Sequence, residues 1–452
     1  MTKLTLPYDS KMFDEDFIFG VATSSFQIEG ARETRLDCIW DTFCAQENTI
    51  SDRSNGDVAC DHIAHWQQDI QLICDLGVDA YRFSISWPRV MHADGTLNET
   101  GLAFYIELID ALKAKGKKIF VTMYHWDLPQ YLEDEGGWLN RDTAYAFAQY
   151  CDLVSQRIGD KVDAYTTLNE PFCAGYLSYE MGVHAPGLTG RKNGRQASHH
   201  LLLAHGLAMQ VLRKNCPSAD VGIVINVHPG YALTDSAEDI EATKMGTDYL
   251  FHWYIDPLLK QSYPSVMDKL SLEERPDILE GDMALIAQPL DFIGMNYYTR
   301  NVYKMGDDGW FEIVTPEPGN LTEMGWEIVP EAMTKMLIEL DQQYDLPPMY
   351  ITENGAAMPD VRQGNRIADQ NRIDYFQSHF VAVEAAMEAG VNIKGYFAWS
   401  LMDNFEWALG YSKRFGLIYI DYETQERVWK GNLLLAIAAG GVTLYSMLNF
   451  GF

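Results

Sequence analysis

Positive charge is scarce in this chain: 34 Lys and Arg stand against 64 Asp and Glu in 452 residues, a formal charge of -30. So acidic a surface repels phosphate backbones and anionic lipid, which argues against nucleic acid as a partner. Cysteine is sparse and unpatterned. Cys38, Cys44, Cys60, Cys74, Cys151, Cys173 and Cys216 are odd in number, scattered and without a C-x-x-C pair. That argues against a disulfide framework or a zinc site and leaves reduced thiols. Met1 to Glu15 carries Lys3, Asp9, Lys11, Asp14 and Glu15 but no apolar run, so no secretory signal is read and a cytoplasmic location is expected. No G-x-G-x-x-G follows the first strand-like run, which ends Ala22-Thr23-Ser24-Ser25-Phe26-Gln27, so a dinucleotide site there is disfavoured. A Ser/His/Asp constellation in a nucleophile-elbow frame is also missing. Without a Pro/Ser-rich linker or low-complexity tract, residues 1–452 are read as one domain.

What is present is alternation. Runs rich in β-branched and aromatic residues recur at Phe17 to Thr23, Ala80 to Trp87, Ile119 to His125, Ala164 to Asn169, Val221 to Val227, Phe292 to Tyr298, Met349 to Glu353 and Gly395 to Leu401. Helical patterns lie between most of them: His62 to Leu76, Leu102 to Lys115, Asp142 to Ile158, Gln196 to Asn215, Ala237 to Leu259, Glu331 to Tyr344 and Gln370 to Glu388. Eight strands alternating with helices predict an α/β fold, a single (β/α)8 TIM barrel, in preference to a doubly wound sheet. The segments Asp37 to Asp61, Gly175 to Arg195 and Met305 to Val329 read as loop insertions.

Two glutamates end strand-like runs in short, unlike frames: Thr167-Leu168-Asn169-Glu170-Pro171 and Ile351-Thr352-Glu353-Asn354-Gly355. A carboxyl on each side of a glycosidic bond lets one protonate the leaving oxygen while the other attacks or stabilises the anomeric carbon. Gln27, His125 with Trp126, Asn169, Asn296 with Tyr298, and Trp399 fall at the same ends of their runs, where a barrel builds its mouth. His62, His65 and Asp69 lie at helical spacing and imitate a metal face, but a solvated helix face is the expected reading, as it is for His199, His200 and His205.

The chain resembles the glycoside hydrolase family 1 β-glucosidases. The resemblance rests on Ser25-Phe26-Gln27-Ile28-Glu29-Gly30, Tyr124-His125-Trp126-Asp127-Leu128-Pro129, Thr167 to Pro171, Asn296-Tyr297-Tyr298-Thr299, Ile351 to Gly355, Trp399 to Trp407 and Lys413-Arg414-Phe415-Gly416-Leu417. It implies a retaining mechanism with Glu353 as nucleophile, supported by Arg82 and Tyr298, and Glu170 as general acid/base. It further implies that Gln27, His125, Asn169, Glu406 and Trp407 read the glycone, with Trp399 as its platform and with Trp126, Asn296 and Tyr298 around it. No metal and no cofactor are implied, and the expected partners are small β-glucosides. Glu406 disfavours a phosphorylated sugar, which a carboxylate would repel. Rival readings are a β-galactosidase/β-fucosidase of broad specificity and a non-catalytic sugar-binding barrel.

Two departures stand out. Phe172 occupies a position where many relatives of the family carry Trp on the aglycone side. Leu433 to Phe452 has no charge, an atypical apolar terminus where the family carries its last helix. Gly440-Gly441 and Asn449 weaken a membrane-span reading of it, so membrane residence is not expected. The sequence sets no oligomeric state.

Overall fold

The computed structural model describes residues 6–7, 9–315, 317–364 and 366–431. Eight parallel strands close into a barrel: β1 (Ile18–Ala22), β2 (Ala80–Ser84), β3 (Lys118–Tyr124), β4 (Ala164–Asn169), β5 (Asp220–Val227), β6 (Phe292–Tyr297), β7 (Met349–Asn354) and β8 (Ile393–Trp399). Each pairs with its sequence neighbours, and β8 closes on β1 through Ile18↔Gly395 to Ala22↔Trp399. Seven longer helices cover the strands: α1 (His62–Asp75), α2 (Glu99–Ala114), α3 (Asp142–Ile158), α4 (Arg191–Asn215), α5 (Ala237–Thr247), α6 (Pro330–Gln343) and α7 (Gln370–Glu388). The expected helix over Ala237 to Leu259 runs as α5, a wider turn at Asp248–His252 and a further helix Trp253–Lys260. The uncharged segment 433–452 lies outside the described residues.

The strands follow from their composition, since residues buried on both faces need side chains that pack on a pleated surface. Inside, Ile18, Phe120, Phe292, Tyr350 and Phe397 fill the floor of the barrel beside Ala80 and Ala164. Large rings face small residues: a Cβ added at Gly20 would meet the Phe397 ring at 2.3 Å. This layer fills the barrel floor and leaves the open space of the barrel at its mouth.

Two strands break register near the mouth. On β7 the pairing to β6 shifts between Ile351 and Glu353, and on β4 the pairing to β5 shifts between Thr166 and Asn169. Such irregularities re-aim side chains. Glu353 lies on β7, and Glu170 directly follows β4.

Half-exposed His65 lies at the surface near Asp61, as expected, but the other histidines of the two clusters are not on solvated helix faces. His62 and Asp69 are buried, 2.7 Å apart, and Asp69 also takes Arg427. His199, His200 and His205 are buried on α4, partnered by Asp282, the Trp138 carbonyl and Thr167 respectively. These histidines face the core because helices on a barrel bury one side, and a polar residue there survives where a partner answers it. No group of three or more His, Cys, Asp or Glu able to hold a metal occurs among the described residues, nor does a helix long and apolar enough to cross a membrane.

Candidate active site

The strand ends and following loops enclose a cleft of about 250 Å³ lined by His125, Trp126, Glu170, Tyr298, Glu353, Trp399, Glu406 and Trp407, all singled out in the sequence. Phe172, Cys173, His184, Asn226, Met324 and Trp326 complete much of its wall.

Glu353 is 3% exposed and receives Arg82 Nη1 on Oε1 at 2.7 Å and Tyr298 Oη on Oε2 at 2.8 Å. Burial pushes its carboxyl up, and Arg82, Tyr298 and Asn296 pull it back down. Glu170 is 5% exposed and accepts from Asn296 Nδ2 at 2.6 Å and from the Cys173 thiol at 3.0 Å. Burial first, then the charge of Glu353, raises it to about 7, against the opposing pull of Cys173, Asn296 and Arg82. The guanidinium lies directly on Glu353, so a proton shared by the pair resides on Glu170. The backbone at Glu170 is left-handed, φ 48°, as it is at Trp126, φ 72°, and Trp407, φ 49°. Strain of this kind collects where a side chain must be aimed for function.

Beneath the carboxyls runs one hydrogen-bond chain. Arg82 Nη2 and Asn296 Nδ2 both donate to Asn169 Oδ1, at 2.6 and 3.2 Å, so the Asn169 amide nitrogen must face and donate to His125 Nε2, 3.1 Å away. His125 is then neutral, with its proton on Nδ1, and burial together with Arg82 keeps it well below the ordinary imidazole range. That Nδ1 has no partner among the described residues. Trp126 donates to the Asn169 carbonyl at 2.8 Å, and Thr352 fixes the Asn296 carbonyl oxygen at 2.7 Å.

Gln27 is 0% exposed, and its amide nitrogen is spent on Asn404 and on the Phe405 carbonyl at 2.9 and 2.8 Å. Its carbonyl oxygen accepts from Ser24 at 2.5 Å, leaving one lone pair for a ligand. Half-buried Glu406 feels burial and then the charges of Glu353 and Glu170, which lift it to about 8. Trp399 and Trp407 stack on His125 at 5.8 and 6.0 Å, and Trp126 packs against Trp407 at 4.6 Å. The result is an aromatic wall facing a row of polar groups, a match for the apolar C–H faces and hydroxyls of a sugar. Among the described residues the cleft lining holds no lysine or arginine to answer a phosphate, which fits a neutral ligand better than a phosphorylated one.

Sequence reasoning passed over Cys173, His184 and Asn226. Asn226 is the next-to-last residue of the Val221 to Val227 run, so the strand-end criterion that picked Asn296 applies equally to it. It is 4% exposed, and its Oδ1 lacks a partner among the described residues. His184 comes from an insertion and reaches the cleft only through tertiary packing, 5.4 Å from both Trp40 and Trp126.

The model of Glycosyl hydrolase family 1 matches residues 9–433. A β-glucosidase of an Agrobacterium species is 42% identical over 440 residues, covering 95% of each chain. A bifunctional β-D-glucosidase/β-D-fucosidase of Bifidobacterium breve is 43% identical, covering 93% of this chain and 96% of its own. The structure of a family 1 β-glucosidase from Thermotoga maritima superposes with a TM-score of 0.92 at 41% identity, covering 96% of this chain and 99% of that one.

Proposed function

We propose that this chain, which belongs to glycosyl hydrolase family 1, is a retaining β-glucosidase that releases terminal non-reducing β-D-glucosyl units from cellobiose, short cello-oligosaccharides and aryl β-glucosides. The observation that carries the reading is one cleft with two buried carboxyls in opposite settings, Glu353 on a guanidinium and Glu170 beside an anion. Ionised Glu353 attacks the anomeric carbon as Glu170 gives its proton to the glycosidic oxygen, forming a glycosyl ester and releasing the aglycone. Esterification removes the Glu353 charge, so the main electrostatic reason for the raised Glu170 pKa goes with it. Glu170 then takes a proton from water, which attacks the anomeric carbon and returns Glu353 as carboxylate. Gln27, His125, Asn169, Glu406 and Trp407 hold the glycone over the Trp399 face, and Trp126 and Asn296 keep the wall and the acid/base in place. No cofactor takes part in this reaction.

Proton NMR of the first-formed sugar checks the stereochemistry, with β-glucose expected before mutarotation. An initial α-product would sink the double displacement. Glu353→Gly with azide should yield the α-glucosyl azide and Glu170→Ala the β-adduct, and the opposite pattern would exchange the two roles. The activity of kcat/KM should fall as pH rises through about 7, where Glu170 loses the proton it must donate.

The bifunctional β-D-glucosidase/β-D-fucosidase relative favours a second reading, that β-D-fucosides are also cleaved, and β-D-galactosides are the other substrates of a broad-specificity enzyme. Comparing kcat/KM on the three nitrophenyl glycosides separates them. We assign the protein to the cytoplasm because its seven cysteines are free thiols, five of them buried, as fits a reducing compartment. Cell fractionation tests this, and recovery with a secreted or membrane fraction would remove it.

A further inference from the structure

We infer that Cys173 is a positioning residue for the acid/base step, its thiol donating to Oε2 of Glu170 and holding that carboxyl in place through both half-reactions. The inference rests on the reading of Glu170 as the acid/base. The contact is 3.0 Å, and the thiol is 7% exposed at the cleft wall.

The local chain explains the contact. Glu170 sits at φ 48°, Pro171 opens the following helix, and the Cys173 amide donates to the Glu170 carbonyl at 2.9 Å. A residue three positions on in such a turn brings its side chain back over the first. Gly175 lets that turn approach α4, since a Cβ there would lie 2.4 Å from Ser198 Oγ. The turn is therefore wedged and the sulphur cannot easily move off.

Asn296 Nδ2 occupies a lone pair on one Glu170 oxygen and the thiol a lone pair on the other. Each oxygen keeps one further direction, which is where the transferable proton can reside. Both donors favour the carboxylate, so they oppose burial and the Glu353 charge and keep the group from becoming too weak an acid. Cys173 keeps its own proton throughout. Burial and the Glu170 and Glu353 carboxylates push its thiol well above the ordinary range, so it acts as a donor and not as a nucleophile.

A small buried cysteine is also ordinary core filler, and the test must tell filler from donor. The pH dependence of kcat/KM on 4-nitrophenyl β-D-glucoside is measured for the unmodified chain, Cys173→Ala, Cys173→Ser and, as a volume-keeping control, Cys173→Val. Loss of the donor should move the alkaline limb up by about half to one pH unit in the Ala and Val variants. Serine restores a donor, so Cys173→Ser should return the limb to its original position or below. If Ala and Val leave the limb unmoved, or if Ser shifts it as they do, the inference is overturned while the glucosidase reading stands. If Glu170→Ala keeps the same alkaline limb, the acid/base reading itself fails and the inference falls with it.

Discussion

Arg82 donates to Glu353 at 2.7 Å and to Asn169 at 2.6 Å, so one cation serves both the Glu353 carboxylate and the chain that orients His125. In Arg82→Met the Glu353 carboxyl loses its counter-charge while burial remains, and its pKa rises. In its proposed nucleophilic role Glu353 must be ionised, so the acid limb of kcat/KM should move up by about 1–3 pH units. The neutral-pH rate should fall at least about 100-fold. An unmoved acid limb would show that Arg82 does not set the charge of Glu353. Glu406 makes a separate prediction about stability. The folded state holds its proton up to about 8, whereas the unfolded chain releases it near the ordinary carboxyl value of about 4.5, so stability drains as pH rises between those values. Glu406→Gln removes that loss. The variant should gain at least about 1 kcal/mol over the unmodified chain at pH 8 and nothing at pH 4, read from urea midpoints, while losing most glucosidase activity.

The loop after β8 owes its shape to a buried ion cluster. Lys430 Nζ lies 2.5 Å from both Asp403 and Asp360, Asp403 also takes Arg414 at 2.6 Å, and Arg372 pairs with Asp360 and Asp369. The next residue, Asn404, holds Gln27 at 2.9 Å. The strand Arg427–Trp429, which pairs with Ile418–Ile420, carries Lys430 into this cluster from the end of the described chain. Lys430→Met leaves two buried aspartates short of a cation, so it should cost about 3 kcal/mol of unfolding free energy. Loosening Asn404 should also raise KM for the glucoside. A variant as stable as the unmodified chain would mean that Arg372 and Arg414 suffice. The same dependence on partners explains the histidines of α1 and α4. Sequence spacing put them on helix faces, but distant partners answer them once buried: Arg427, more than 350 residues from Asp69, for α1, and Asp282, Trp138 and Thr167 for α4.

Across the whole molecule, the excess of acidic residues gives a net -30 that the surface ion pairs cannot neutralise. Mutual repulsion among unpaired carboxylates opposes the compact state, and salt screens it within a Debye length of about 10 Å at 0.1 M and about 3 Å at 1 M. Exposed pairs such as Arg157–Glu99 and Lys269–Glu241 are screened as well, but each contributes at most about 1 kcal/mol. The repulsion should dominate, so Tm is expected to rise with NaCl from low ionic strength to about 1 M in a scanning calorimeter. A falling Tm over that range would mean that the ion pairs prevail.

The sequence alone determined the eight strands, the alternation with helices and the strand-end residues of the cleft, because these are written in local periodicity and in which residue ends each run. The frames around Glu170 and Glu353 carried the chemistry in the same local way. The family resemblance already implied different roles for the two carboxyls, with Arg82 and Tyr298 beside Glu353, and only the tertiary structure supplied the burial and contacts that set them apart. Their frames do not encode that Arg82, from β2, lies on one and not the other, nor that register breaks on β4 and β7 accompany both. Cys173 had no signal beyond its neighbours, Asn226 shared the strand-end placement of Asn296, and His184 reached the cleft from an insertion. A pKa, a partner or a buried face is a property of what surrounds a residue in space, and those surroundings come from strands hundreds of residues apart.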